Sequence, residues 1–191
     1  MPSKSFETWQ TVRAKALNEI VAAHQTVGDT GRGRRFATQQ LNHAYAVLLS
    51  SQFQGNCRDL HSECVDFLAA QASPAALRPV IHAEFSSARK LDKGNPSPGN
   101  IGADFNRFGF RLWDQVCQLD SLNAVRKADL ELLNEWRNAI AHQDFTGPLG
   151  GIATLHLSHV KKWRRACDSL ASTLNNLIRQ QLKTLTGSYP R

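Results

Sequence analysis

The chain has 191 residues, 41% hydrophobic and 20% charged, which excludes a disordered tail and suffices for one ordinary domain with its own core. Twenty-three Lys and Arg against sixteen Asp and Glu leave a formal net charge of +7, which points to a polyanionic partner, nucleic acid first. No apolar run approaches the ~20 residues of a bilayer span, and the opening MPSKSFETWQ has no signal-peptide stretch, so the expectation is a cytoplasmic protein with no membrane contact.

Cys57, Cys64, Cys117 and Cys167 form no CxxC pair and are read as reduced thiols. Gly and Pro cluster at 28–33, 94–102 and 147–151 and divide the chain into helical stretches. The spacing predicts a first helix over about 5–26 and a long second one over about 36–72, which Gly55 is placed to kink. The third starts at Ser73-Pro74, an N-cap followed by Pro, and runs to about 91. The fourth is expected to begin after Asp104 as N-cap and to carry Phe105, Phe108, Leu112, Trp113 and Val116. A fifth covers about 121–143. The last, about 156–184, sets Val160, Trp163, Cys167, Leu170, Leu174 and Leu177 in alternating three- and four-residue steps, a seam for another helix. Only 152–157 alternates as a strand would. The fold class is therefore all-α, a single up-and-down helical bundle with flanking helices. Its core lies at about 36–184, and residues 1–35 supply an N-terminal helix and a basic loop.

Several patterns invite a chemical reading. Gly28, Gly31 and Gly33 follow no strand and lack the Lys-Ser/Thr ending of a phosphate loop, so they read as a flexible basic loop. Cys57, His61 and Cys64 share one helix face at i, i+4 and i+7. That face suits a soft metal with a fourth ligand from elsewhere, or a set of small buried hydrophobes; His156 and His159 carry the same pair of readings. No metal or cofactor is expected. In Glu131–Gln143, ELLNEWRNAIAHQ, a 100° step puts Leu133, Trp136 and Ile140 on one face. Asn138 and His142 fall nearly opposite, beside Glu131 and Glu135, and Arg137 lies between. A solvated helix face and a polar functional cluster both fit that arrangement.

Arg137-Asn138-Ala139-Ile140-Ala141-His142 resembles the Arg-Asn-x-x-x-His motif of the HEPN superfamily, helical domains rich in ribonuclease toxins. Asn directly after Arg, the end of a late amphipathic helix and a long final helix all belong to that likeness. The stretch Leu41–Leu68 is similar to the first conserved helix of stand-alone bacterial members, with Phe53-Gln54-Gly55 where an aromatic, an acid and a Gly are common. Gln54 departs from the acid. Asp144 stands where members silenced by a partner nucleotidyltransferase carry Tyr. The resemblance runs from about 36 to 180.

It implies a homodimer whose two motif helices build one composite site for metal-independent RNA cleavage. One His142 takes the 2′-hydroxyl proton while its mate protonates the leaving 5′-oxygen. Arg137 holds the phosphate and Asn138 orients the groups. The implied setting is a toxin or defence effector with an antitoxin or regulatory partner. The basic run Lys161, Lys162, Arg164 and Arg165 reads either as an RNA-backbone contact or as the solvated side of the last helix. A non-catalytic dimeric interaction module of the same fold is the alternative.

Overall fold

The computed structural model describes residues 2–28, 34–147 and 149–190; Gly31 and Gly33 of the glycine-rich loop lie outside them. All regular structure among the described residues is helical, and 152–157 forms no strand. Ser3 opens α1 (Lys4–Thr8), its hydroxyl accepting from Phe6 N–H at 3.2 Å. A π-helical turn (Trp9–Arg13) continues it into α2 (Ala14–Gly28).

The long helix is α3 (Arg34–Gln71), which passes Gly55 unbroken. Gly55 serves a close approach: a Cβ there would fall on the Arg13 guanidinium, which bonds Gln52 and Asp59. Lys4 and Ser5 N–H meet Glu63 further along, so the N-terminal helices run antiparallel to α3.

The middle of the chain departs from the helix boundaries expected of its sequence. The Ser73–Pro74 peptide is cis, and a 3-10 turn (Ala75–Leu77) leads into α4 (Arg78–Ser86), which stops short of 91. A short α5 (Lys90–Lys93) comes next. The Gly/Pro-rich stretch contains α6 (Pro98–Phe105), with Ser97 as N-cap and Pro98 in its first turn. Asp104 is therefore no N-cap of a following helix. It lies inside α6, and its carboxylate accepts Lys90 N–H at 2.7 Å and Leu91 N–H at 2.8 Å, capping α5 from outside. Gly109, at φ 90°, ends a 3-10 turn (Asn106–Phe108) before α7 (Leu112–Leu119).

Two long helices complete the bundle, α8 (Leu122–His142) and α9 (Leu157–Thr186). Ser50 bonds Asn134, and His43 lies beside Trp136, so α8 runs antiparallel to α3. Trp9 donates to Asp168 and Ser3 N–H to Asn175, which sets α9 antiparallel to the N-terminal helices. The four long segments thus alternate down and up. The core is one continuous cluster in which Trp9, Phe53, Cys57, Phe105, Leu133, Trp163 and Leu170 are buried. No helix among the described residues is long and apolar enough to cross a membrane.

Candidate functional site

The motif closes α8. Leu133 and Trp136 are buried and Ile140 is packed on the core, while Glu131, Glu135 and His142 are exposed, as the 100° step requires. Asn138 departs from that pattern. It is half-buried because the segment joining α5 to α6 lies over it. Asn95 Nδ2 donates to Asn138 Oδ1 at 3.2 Å, and Arg137 Nη1 donates to the same oxygen at 3.1 Å. One turn earlier, Asn134 accepts from Ser50 Oγ at 3.0 Å and donates to the Leu130 and Pro96 carbonyls. Two asparagines fasten α8 to the 95–97 segment, and that segment roofs the site.

Gln54 holds the same segment from the α3 side. Its Nε2 donates to Leu91 O at 2.6 Å and to Gly94 O at 2.7 Å. Both partners are acceptors, and a carboxylate has no proton to give either. An amide here, where the resemblance has an acid, is explained by the loop it must hold.

The result is a polar pocket lined by Gln54, Asp92, Lys93, Gly94, Asn95, Asn100, Arg137 and Asn138. Asp92 is already engaged by Arg89 and Arg58, and Arg89 holds its carboxyl below the ordinary range. Arg137, half-buried, forms no ion pair among the described residues, although Arg13, Arg58, Arg89, Arg107, Arg126 and Arg164 all do.

His142 lines a second hollow with Glu135, Asn138, Ala139, Asp144, Thr146, Gly147 and Leu149. Five residues separate Arg137 from His142, about 140° around the helix. The two therefore open into different hollows of one chain, and Asn138 is common to both. The helix stops at Gln143, φ 54°, with Asp144 N–H on Ala139 O at 3.0 Å, a Schellman-type end made without glycine. The Thr146 hydroxyl and amide then hold Asp144 and lower its pKa, with His142 adding to the effect.

The basic run divides. Lys162 reaches Asp129 at 2.7 Å. Arg164 is committed to Asp168 at 2.9 Å and lies over the Trp9 ring. Lys161 and Arg165, four residues apart, share a face, and Arg165 is exposed. Cys57, His61 and Cys64 are buried in the core, where burial raises both thiols and pushes His61 down to about 4. No group of three His, Cys, Asp or Glu among the described residues is placed to hold a metal. His156 and His159 instead close the start of α9, His156 N–H donating to His159 Nδ1 at 3.2 Å.

Sequence reasoning missed His43, Lys93, Asn95 and Asn100. Asn95 and Asn100 sit in a Gly/Pro-rich stretch that reads as punctuation, and Lys93 immediately precedes it. His43 occurs on a long helix with no motif around it, and only the fold brings it to Trp136 and Phe145. No protein-family model matches the chain, and no curated protein or solved structure matches it.

Proposed function

We propose that the chain is a metal-independent endoribonuclease of HEPN type, a cytoplasmic toxin or defence effector that cleaves RNA at a site composed by two protomers. The observation that carries this reading is Arg137: a half-buried guanidinium in an amide-lined pocket, with no carboxylate partner among the described residues. Its planar fork suits a phosphate, as it does a carboxylate. His142 is exposed, one turn further on. In one chain the two face different hollows, so the reading requires a second protomer to bring a His142 to an Arg137. The 2′-hydroxyl proton passes to one imidazole and the 2′-oxygen attacks phosphorus. The 5′-oxygen leaves with a proton from the other imidazole, giving a 2′,3′-cyclic phosphate and a 5′-hydroxyl. Arg137 offsets the charge that builds on the phosphoryl oxygens. Any antitoxin or regulatory partner is part of the same proposal.

The test is cleavage of single-stranded RNA in EDTA. We expect His142→Ala and Arg137→Ala each to lower the rate by about 10²–10⁴-fold. Circular dichroism and the unfolding midpoint should hold for His142→Ala, since an exposed side chain leaves no core cavity. A divalent-metal requirement, or undiminished cleavage by His142→Ala, would overturn the mechanism. The second reading, a non-catalytic interaction module, is favoured by Leu119, Leu122 and Val125, which are 60%, 57% and 55% exposed around the α7–α8 turn. A confirmed dimer that cuts no RNA would support it.

A further inference from the structure

Beside the His142 hollow, and sharing Gly147 and Leu149 with it, lies a cleft of about 330 Å³ lined by Gln39, His43, Trp136, Phe145, Thr154 and Leu155. That volume falls in the range of small-ligand sites, roughly 300–1,000 Å³. Its walls are aromatic. Phe145 stacks on His43 with centroids 5.7 Å apart and planes 24° apart. Trp136 closes the inner side, 6.3 Å from His43 and 6.1 Å from Phe145.

Two features mark the cleft as more than packing. Phe145 is 42% exposed, yet it is held in place between the left-handed Gln143 and the Asp144–Thr146 turn. Two residues of its lining, Leu149 and Gly151, are left-handed. For Leu149 that conformation costs energy, and such strain gathers at ligand sites. The Trp136 indole N–H fixes this turn by donating to Leu149 O.

The polar groups are those of a base-recognising edge. Gln39 is half-buried, and its amide has no hydrogen-bond partner among the described residues. Through Gln39, Thr154 and Leu155 the cleft continues to Asn42, which is 5% exposed. Asn42 Nδ2 donates to Leu155 O at 2.9 Å, while its Oδ1 is buried and accepts nothing among the described residues. Paired donors and acceptors beside a stack of rings match a planar heterocycle with N–H groups better than a hydrocarbon. Burial holds the His43 pKa below its ordinary value, which favours the neutral ring.

We infer that this cleft binds a nucleobase of single-stranded RNA, stacked against Phe145 and His43, and so presents the adjoining phosphodiester to the His142 hollow. The inference rests on the ribonuclease reading for its substrate but not for its test. Binding is measured on the His142→Ala protein, whose cleavage is expected to be about 10²–10⁴-fold slower, with hexaadenylate RNA and with adenosine 5′-monophosphate as probes. Saturation transfer from the ligand should reach the rings of His43 and Phe145. Phe145→Ala and His43→Ala should each weaken hexaadenylate at least about fivefold, and Phe145→Tyr should preserve affinity. Phe145 is exposed, so its truncation leaves the fold intact, which a melting curve checks. In the active protein, Phe145→Ala should raise KM and spare kcat.

Unchanged affinity in folded Phe145→Ala overturns the proposal, as does absence of binding by either probe to the His142→Ala protein. RNA cleavage that is indifferent to both cleft variants rejects the cleft and leaves the ribonuclease standing. Adenosine monophosphate bound at His43 and Phe145 without any RNA cleavage does the reverse.

Discussion

His61 sits in the core with neither ring nitrogen hydrogen-bonded among the described residues, packed on Phe105 at 5.4 Å and Phe108 at 4.9 Å. Burial is the main reason its pKa falls to about 4. Arg89 and Arg107 push in the same direction, and Asp104 opposes them. Between about pH 6.5 and 4 the unfolded chain binds a proton that the folded chain refuses, so stability falls as pH drops through that window. The full loss is about 3 kcal/mol. His61→Leu keeps nearly the same volume and removes both unpaired nitrogens. Its stability should therefore fall by less than the parent's over this range, while at pH 7 the two stay within about 1.5 kcal/mol. Urea unfolding at pH 7, 5.5 and 4.5 measures this, and parallel loss in the two proteins would reject it. The buried fate of Cys57, His61 and Cys64 was half legible. Spacing puts them on one face, but only the opposing Phe105 and Phe108 decide between a metal and a core. At the motif, Arg137 and His142 are legible by residue type and spacing. The inward bond of Asn138 is not, because its partner Asn95 lies 43 positions away.

At the scale of elements, apolar periodicity finds α3, α8 and α9 because each buries a stripe many turns long. It fails between 86 and 112, where the helices are one or two turns long and held by side chains from elsewhere. The Gly and Pro residues there disguise α6, although Ser97-Pro98 is itself a helix start. Asp104 is the sharpest case, since an acid before an apolar run reads as a cap for the next helix. Its carboxylate instead receives two N–H groups from α5, fourteen and thirteen residues back. At 1% exposure, Asp104→Asn presents an NH₂ group to one of those donors and leaves it unmet. The expected cost is about 1–3 kcal/mol, against under ~0.5 kcal/mol at an exposed, unengaged surface position. Denaturant midpoints compare Asp104→Asn with Asp66→Asn, whose carboxylate is exposed and, among the described residues, meets the exposed His82 at 3.4 Å. Equal midpoints would show that α5 is not held by this cap. Loss of α5 also loosens the Leu91 and Gly94 carbonyls that Gln54 grips, and with them the wall of the Arg137 pocket.

For the whole molecule, the separation of Arg137 and His142 into two hollows turns the proposed chemistry into a statement about assembly. If two imidazoles act on one phosphodiester, one giving and one taking a proton, each active site needs a His142 from both protomers. Isologous pairing through the α8 ends supplies them, and light scattering should give a two-fold dimer. Subunit mixing separates this from a dimer of independent sites. Parent protein is exchanged with an equal amount of His142→Ala protein at fixed total concentration, and cleavage is read once exchange is complete. Random pairing leaves about one quarter of the dimers with two intact imidazoles. Activity should therefore settle near one quarter of the all-parent value if both are required, and near one half if each protomer works alone. Native mass spectrometry of the exchanged mixture should show about half the dimers mixed, which checks that pairing is random. A residual near one half would keep the ribonuclease but confine its acid–base work to one chain, where His142 must then find its second proton-transfer group. Glu135 and Asp144, which share the hollow of His142, and His43, which lines the adjoining cleft, are the groups of that chain to test.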